Sequence, residues 1–296
     1  MTVDADRLRA LVDAPVVHRE SVPSTNDLAR AEGRDGAAHG TFVVADEQSA
    51  GRGRTGNAWA SPPGGVWSST LVYPDFDASH VGRLTFAGGL AAAETVEAFG
   101  ADAALKWPND VVVGADARKL CGVLTEAVVD EVPVAGKPVD EVLPGTDPAD
   151  ADLSFAVLGV GVNAALDPSD LDVDREVTTL RAVDQRETAE RASGGERPAS
   201  SAEVGEVDAT EVAATLHERL LAWVERVETD DGFADALAAW RERSATLGER
   251  VRVETRDGET VVGTASGVTS RGALVVDTAD GDVTVTEGEC SRLRRA

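Results

Sequence analysis

Apolar residues recur at helical spacing in some segments of the chain and form short continuous runs in others. The helical spacing predicts four helices, at residues 24–34, 84–99, 212–227 and 233–240. The shorter runs, rich in β-branched residues, predict strands at residues 41–45, 66–73, 111–113, 120–128 and 155–163. Helices and strands are therefore expected to share one large N-terminal domain.

The pattern changes at Gly248, after which short alternating strands follow one another without a helix. Asp-Gly and Arg-Gly pairs join these strands, and such pairs are typical of tight turns. Short strands with glycine turns predict a small β-barrel of SH3 type. We therefore place a domain boundary near residue 246, with a larger domain at 1–246 and the barrel at 247–296.

Two segments interrupt this pattern, at residues 130–152 and 182–208. Both are rich in Asp, Glu, Pro, Ala and Gly and show little apolar periodicity, which is typical of segments that do not pack into a core. We expect them to be acidic insertions at the surface.

The chain is strongly acidic. Its 296 residues include 53 Asp and Glu against 28 Lys and Arg, a formal net charge of −25. Such a surface disfavours nucleic acid, because phosphate binding requires clustered cations. Three of the cations are lysine, namely Lys106, Lys119 and Lys137. Two explanations are open: a halophilic protein from a cytoplasm of very high salt, where self-repulsion is screened, and a codon bias that replaces Lys by Arg.

The sequence also bears on the compartment. Its two cysteines, Cys121 and Cys290, lie far apart and lack the spacing of metal ligands. No apolar run is long enough to span a bilayer, and the N-terminal MTVDADRLRA lacks the apolar core of a secretory signal. We expect a cytoplasmic protein that binds no membrane.

The segment from Gly51 to Gly65, GRGRTGNAWASPPGG, carries the strongest indication of function. Glycines let a backbone approach a ligand closely, and Arg52 and Arg54 offer forked donors for a phosphate or carboxylate. In a chain of net charge −25, this loop favours an anionic ligand over a plain surface loop. It is no Walker motif, because GxxxxGK[ST] occurs nowhere in the chain.

Three further segments carry polar groups, each with an ordinary structural explanation. Ser24-Thr25-Asn26 has the residue types of a helix cap, and Pro108-Asn109-Asp110 those of a turn. Lys119, ahead of a predicted strand, would by itself be a surface lysine. Because almost every other cation is arginine, however, Lys106 and Lys119 indicate sites that need a compact ammonium group.

Taken together, the order of these motifs resembles one family, the biotin–protein ligases. The motifs are STN, EQSAGRGRTGNAWASPPGG, LKWPND, KLCGVLTE and GVGVN, within roughly residues 15–180. The resemblance implies an α+β fold: a mixed-sheet catalytic domain of the biotin/lipoate ligase type, like class II synthetases, followed by the SH3-like barrel. It also implies an enzyme, biotin–[acetyl-CoA-carboxylase] ligase, that joins biotin to ATP as biotinyl-5′-AMP. Biotin would then pass to a lysine of a biotin carboxyl carrier domain of an acyl-CoA carboxylase, and Mg²⁺ would accompany the ATP.

The resemblance assigns roles to single residues as well. Lys119 and Arg54 are expected to be catalytic. Biotin is expected to be held by Ser24, Thr25, Asn26, Gln48, Gly51, Arg52, Gly53, Arg54, Lys119 and Gly122. ATP is expected to be held by Arg52, Arg54, Trp59, Lys106, Asn109, Asp110, Lys119 and Asn163. Both arginines would face the carboxylate and phosphates, and Trp59 would pack near the adenine.

Departures and alternatives qualify this resemblance. Cys121 stands where the family often has Ala or Gly, and the segment before Ser24 is too short for the winged helix with which some members bind DNA. We therefore expect a ligase without repressor activity, and a homodimer is compatible with it.

Two alternatives are open: a lipoate–protein ligase, and a non-catalytic regulator that binds biotin or a nucleotide. KWPND after GRGRTG favours biotin, and the two retained lysines favour an enzyme.

Overall fold

The computed structural model describes residues 2–54, 57–130, 132–135, 142, 145–171, 176–183, 207–255, 258–286 and 288–293. The helices are α1 (Ala5–Leu11), α2 (Thr25–Arg34), α3 (Gly82–Ala98), α4 (Ala209–Val227) and α5 (Asp230–Glu242). The strands are β1 (Val16–Val22), β2 (Phe42–Gln48), β3 (Val66–Val72), β4 (Ala103–Lys106), β5 (Asp110–Val113), β6 (Arg118–Val129), β7 (Val132–Ala135), β8 (Leu153–Val162), β9 (Arg250–Glu254), β10 (Thr260–Val268), β11 (Leu274–Thr278), β12 (Gly281–Val285) and β13 (Glu289–Arg292).

A sheet of eight strands forms the larger part of the described fold. Its order is β1-β2-β3-β8-β6-β5-β4, and β7 pairs with β6. β1 runs parallel to β2, whereas the other neighbouring strands are antiparallel, so the sheet is mixed. All seven residues of β3 are buried, because this strand lies inside the sheet and helices cover both faces.

Successive residues of a strand point to opposite faces of the sheet, and the core is divided accordingly. On one face Leu71 packs with Ala29 of α2. On the other, Val72 belongs to the larger core formed with α3 and α4. α3 approaches the sheet closely because it is rich in small residues: a Cβ atom at Gly88 would meet Val123 Cγ1 at 2.7 Å.

Five antiparallel strands, in the order β12-β11-β10-β9-β13, form a second sheet. In β9 Val251 and Val253 are buried and alternate with exposed residues. The segment that leads into this sheet is bound to β4, since Leu105 N donates to Arg243 O (2.8 Å) and Ala245 N donates to Leu105 O (2.9 Å). The two sheets are therefore linked through the backbone beside β4.

The predicted fold class is confirmed, and the four predicted helices are present. α1 and β1 were not predicted, because they are short and β1 mixes charged and apolar residues without strict alternation. No helix in the part of the chain that the structure describes is long and apolar enough to cross a membrane. The domain boundary near residue 246 stays a prediction.

The first predicted insertion requires a correction. Residues 132–135 form β7, which pairs with β6, and Val134 is buried against Val129. This part of the segment belongs to the sheet, because Val134 completes a small core that the acidic composition of the segment does not reveal. Residues 136–141 and 184–206, which make up much of the two insertions, lie outside the described residues.

Candidate active site

A large cleft opens between the eight-stranded sheet and the C-terminal strands, with a volume of about 1420 Å³. Sites for one drug-sized ligand typically measure about 300–1,000 Å³, so this cleft has room for two ligands side by side. Its walls come from the start of α2, the Arg-Gly loop, β6 and β8, the turn between β4 and β5, and residues 244–251 and 288–293.

A group of buried hydroxyls and amides lies at the start of α2. Gln48 Oε1 accepts hydrogen bonds from Thr25 N (2.8 Å) and Thr25 Oγ1 (3.1 Å). Ser69 Oγ lies 2.8 Å from Thr25 Oγ1 and 2.6 Å from Asn26 Oδ1. Ser24 takes the N-cap position of α2, but its side chain forms no capping hydrogen bond. Capping therefore does not explain these residues, which form a fixed polar cluster suited to a polar ligand group.

The Arg-Gly loop forms a short hairpin at the edge of the cleft. Gly53 N donates to Asn57 O (2.7 Å), and Trp59 N donates to Gly51 O (2.9 Å). A Cβ atom at Gly51 would meet Trp59 O at 2.5 Å, so glycine is required there for the two arms of the hairpin to meet. Residues 55–56 lie outside the described residues.

Arg52 forms a forked ion pair with Asp27. Its Nη1 and Nη2 each donate to one carboxylate oxygen at 2.7 Å. Nη2 also lies 3.5 Å from Oε1 of the buried Glu126, and Arg30 pairs with both carboxylates. The hydrogen bonds from Arg52 lower the pKa of Asp27, and the hydrogen bonds to Asp27 raise the pKa of Arg52. Two cations and two carboxylates make this four-residue cluster electrically neutral.

Lys119 lies beneath the ring of Trp59. Its Nζ is 2.5 Å from Asp110 Oδ1 and 4.6 Å from the centre of that ring. The ring covers Gly122 and Gly161, where a Cβ atom would meet ring atoms at 2.8 Å and 2.7 Å. Lys119 is only 9% exposed, and the adjacent carboxylate and aromatic face compensate the cost of burying its charge.

The turn between β4 and β5 adds polar groups to the cleft. Lys106 and Asp110 are paired residues at the end of this hairpin. Asn109 Nδ2 donates to Val123 O (2.6 Å), which ties the turn to β6. The turn therefore places a second ammonium group and the carboxylate partner of Lys119 on one short segment.

Residues from the C-terminal part of the chain hold this turn in place. Trp107, which a cis peptide joins to Pro108, is buried. Its backbone N donates to Thr246 Oγ1 (2.9 Å), and its Nε1 donates to Gly272 O (3.1 Å). Both hydrogen bonds cross from the larger sheet to the C-terminal segment.

Known proteins share this combination of domains. The biotin/lipoate A/B protein ligase family matches residues 19–136, and the biotin protein ligase C-terminal domain matches residues 246–293. The biotin–[acetyl-CoA-carboxylase] ligase of Mycobacterium tuberculosis is 30% identical over 278 residues, 92% of this chain and 86% of that one. The ligase of the same name from Paracoccus denitrificans is 30% identical over 84% of this chain and 88% of its own length. The chain belongs to the biotin–protein ligase family.

A solved structure supports the fold of this family member. The biotin protein ligase from Aquifex aeolicus, in complex with biotin and ATP, matches with a TM-score of 0.66 at 22% identity. The match covers 95% of this chain and 99% of that one. The shared fold therefore includes both the mixed sheet and the C-terminal strands.

Most residues predicted from the ligase motifs line the cleft. They are Ser24, Thr25, Asn26, Gln48, Arg52, Gly53, Arg54, Trp59, Lys106, Asn109, Asp110, Lys119 and Gly122. Gly51 and Asn163 do not belong to its described lining. Asn163 is buried, and its Nδ2 donates to Thr178 O (3.1 Å), while Thr178 N donates to Lys119 O (2.9 Å). Asn163 is therefore linked through Thr178 to the backbone of Lys119. The expectation that Asn163 reaches ATP gains no support from this position.

Three polar residues that hold the lining residues in place were missed by the sequence reasoning. Ser69 completes the polar cluster, and Asp27 and Glu126 hold Arg52. The signals were present, since Asp27 follows the STN motif and Glu126 is a carboxylate inside a largely buried strand. Their partners, however, lie on other elements, which motif spacing does not reveal.

The C-terminal wall of the cleft was missed as well. Arg250 and Arg292 line it, and Arg292 Nε lies 2.8 Å from Glu249 Oε2. The described lining has six cationic residues against five acidic ones: Arg52, Arg54, Lys106, Lys119, Arg250 and Arg292 against Asp110, Asp116, Glu176, Glu249 and Glu289. In a chain of net charge −25, this near-balance of charge is a local enrichment in cations.

Both cysteines of this family member are buried, which makes them poor nucleophiles. Burial raises the pKa of Cys121, and burial raises the pKa of Cys290 to about 11. Their thiols stay protonated at neutral pH, and the thiolate is the reactive form.

Proposed function

We propose that the chain activates biotin with ATP to give biotinyl-5′-AMP and then transfers biotin to one lysine of a biotin carboxyl carrier domain of a carboxylase. A single arrangement carries this proposal. The polar cluster at Thr25, the buried ammonium of Lys119 and the Arg-Gly loop line one cleft large enough for both substrates. Membership of the biotin–protein ligase family agrees with it.

The polar cluster suits the uncharged head of biotin. Thr25, Asn26 and Gln48 present hydroxyl and amide groups that are held in place by one another and by Ser69, and Ser24 lines the cleft beside them. A ureido ring both donates and accepts hydrogen bonds, and a preorganised set of donors and acceptors binds it without the cost of ordering flexible side chains.

The first step brings two anions together. A carboxylate oxygen of biotin attacks the α-phosphorus of ATP, and the bond from that phosphorus to the bridging oxygen breaks as pyrophosphate leaves. Lys119 would contact both the carboxylate and the α-phosphate, since it lines the cleft and its resemblance to the key lysine of the family implies this role. Each such preorganised contact to developing charge contributes about 3 kcal/mol, or roughly 100-fold in rate.

The nucleotide would lie towards the turn between β4 and β5. Lys106, Asn109 and Asp110 line this part of the cleft, and Arg54 lines it from the loop. Trp59 would pack near the adenine, as the resemblance to the family implies. The hairpin would cover the mixed anhydride, which must be protected because water hydrolyses it.

Mg²⁺ would enter bound to the triphosphate. Within the described ranges, no three His, Cys, Asp or Glu side chains are grouped as metal ligands. Mg²⁺ needs no such cage, because it keeps several waters and binds through phosphates with one or two carboxylates. Asp110 and Glu176, which line the cleft, are carboxylates that fit this requirement. The ion would neutralise part of the phosphate charge.

The second step needs no nucleophile from the enzyme. The carrier lysine attacks the carbonyl carbon of the mixed anhydride, an amide bond forms, and AMP leaves with the bond electrons. The lysine gives up its proton in the process. The protonated thiols of Cys121 and Cys290 agree with direct transfer.

We also propose that the acidic surface suits a cytoplasm of high salt, where screening lets an acidic carrier domain approach. A homodimer and the cytoplasmic location stay predictions from the sequence.

One assay tests the proposal against its alternatives. The purified protein is incubated with ATP, with biotin or lipoate, and with a purified carrier domain over a series of KCl concentrations. We expect biotin-dependent pyrophosphate release and biotinylation of the carrier, both rising with KCl. Lipoylation without biotinylation would favour the lipoate ligase, and biotin binding without pyrophosphate release would favour the regulator. Activity and stability that are independent of KCl would contradict the high-salt proposal alone.

A further inference from the structure

A cluster of four charged side chains ties the Arg-Gly loop to the sheet. Arg52 of the loop forks onto Asp27 of α2. Arg30, also on α2, pairs with Asp27 and with Glu126 of β6. Glu126 lies 3.5 Å from Arg52 as well. Loop, helix and strand therefore meet at a single set of charges, which we call the latch.

The latch leaves Arg52 little capacity for an external anion. Asp27 accepts one hydrogen bond from each of Nη1 and Nη2 of the guanidinium, and the four formal charges of the latch sum to zero. Glu126 is 2% exposed, and a buried carboxylate that loses one of its cations is strongly destabilised. A phosphate that captured Arg52 would have to displace Asp27 and remove a partner from Glu126 at the same time.

We propose that Arg52 is a positioning residue, held by Asp27 and Glu126, that fixes the Arg-Gly hairpin at the cleft rather than binding the carboxylate or phosphates of the substrates. The sequence-based expectation gave both loop arginines an anion-facing role. Both arginines line the cleft, but the forked ion pair with Asp27 and the contact with Glu126 assign the guanidinium of Arg52 to the latch.

The latch also reaches the polar cluster. Asp27 directly follows Asn26 on α2, and Asn26 Nδ2 donates to Leu124 O (3.3 Å), two residues before Glu126 on β6. Loss of the latch would therefore loosen the hairpin beside the same helix start that carries the cluster. This consequence for catalysis rests on the proposed function, whereas the positioning of the hairpin does not.

Four variants test the proposal: Asp27→Asn, Arg52→Gln, Arg52→Lys and the double variant Asp27→Asn/Arg52→Gln. Asp6→Asn is the control, since Asp6 pairs with Arg9 on the exposed face of α1 at 2.8 Å. Amide hydrogen exchange is measured without substrate on the peptide that spans residues 51–61, which includes the hairpin amides of Gly53 and Trp59. Retention of biotinyl-5′-AMP and the KM for ATP are then measured on the same proteins.

We expect exchange to accelerate about tenfold in Asp27→Asn and in both single Arg52 variants, with biotinyl-5′-AMP escaping faster by a similar factor. Arg52→Lys belongs to this group because lysine keeps the charge but cannot form the fork. The double variant should be no worse than either single variant, since both remove the same interaction. Asp6→Asn should match the wild type.

If Arg52 bound the substrate anions directly, the variants would have the opposite effects on the KM for ATP and on activity. Asp27→Asn would then release Arg52 and lower the KM for ATP, and Arg52→Lys would keep most of the activity. Either result, or unchanged exchange in all the latch variants, would overturn the positioning role. A wild-type protein without biotin-dependent pyrophosphate release would instead remove the proposed function, and the exchange data would still decide the role of Arg52.

Discussion

Lys119 Nζ lies 2.5 Å from Asp110 Oδ1, and an irregularity in strand pairing makes this contact possible. The register of β5 and β6 shifts so that neighbouring residues of β5 pair with Lys119 and Cys121, and Leu120 is the extra residue on β6. After such a bulge the side chains change faces. Lys119 and Gly122 therefore both line the cleft, although they are three positions apart and would lie on opposite faces of a regular strand.

Replacing Lys119 by alanine should abolish most adenylate formation while the fold is kept. The side chain lies at the cleft wall, so its loss removes a preorganised cation and leaves Asp110 without that partner. We expect biotin-dependent pyrophosphate release to fall about 100- to 1,000-fold. Circular dichroism should be unchanged, and Arg9→Ala, on the exposed face of α1, is the control. Turnover near that of the wild type would remove the catalytic role of Lys119.

Gly161→Ala should displace the Trp59 ring. The new Cβ atom would meet Trp59 Nε1 at 2.7 Å, and the ring would have to leave its place above Lys119. We expect a loss of about 1–3 kcal/mol in unfolding free energy and a tenfold or larger fall in kcat/KM for ATP, checked by denaturation and steady-state kinetics.

A matched glycine in the second sheet provides the control for this variant. A Cβ atom at Gly267 of β10 would meet nothing within 4 Å. Gly267→Ala should therefore leave kcat/KM unchanged and keep or raise the stability, by up to about 1 kcal/mol, because it restricts the unfolded chain. Equal effects of the two substitutions would show that the contact with Trp59 is unimportant.

The sequence predicted the residues of the cleft better than the contacts among them. Residues such as Lys119 were found because they lie in short motifs, and helices such as α4 because apolar periodicity is local. The pairing of Arg52 with Asp27 and Glu126 joins positions 25 and 74 residues apart, and the order of strands in the sheet decides it. The bulge at Leu120 is equally invisible, since it depends on two paired strands.

Thr246→Val should weaken the link between the turn after β4 and the C-terminal segment. The substitution removes the acceptor of the buried Trp107 N–H, and an unpaired buried donor costs about 1–3 kcal/mol. Because this turn lies on the proposed nucleotide side, the KM for ATP should rise more than the KM for biotin. Thermal denaturation and steady-state kinetics check both effects.

Thr95→Val is the matched control for this substitution. Thr95 is also buried, but its Oγ1 donates to Ala91 O (2.7 Å) within α3, where the helix backbone already provides that carbonyl with a donor. Its removal orphans no backbone group, so the loss of stability should be clearly smaller and the KM values unchanged. A KM for ATP that is equal in the two variants would contradict the role of Thr246.

Stability should fall in mild acid because of His217. Its ring lies 4.5 Å from that of Phe42, and its Nε2 is 2.8 Å from Gly40 O. Burial lowers the pKa of His217 in the folded protein. In the unfolded state the imidazole of His217 has its ordinary pKa of about 6.5 and therefore binds a proton more readily than in the folded state. As the pH falls below about 6.5, protonation stabilises the unfolded state more than the folded state. The contribution of His217 to stability is complete above about pH 6.5 and is lost as the pH falls towards the lowered pKa.

The measurement compares denaturation of the wild type and His217→Gln between pH 5 and 7.5, a range above the ordinary pKa values of the many carboxylates. Within this window each pH unit should cost the wild type up to about 1.4 kcal/mol relative to the variant, whose side chain does not titrate. Parallel curves for the two proteins would mean that His217 is protonated equally well in the folded and unfolded chains, and the burial of its ring beside Phe42 would then have no effect on stability in mild acid.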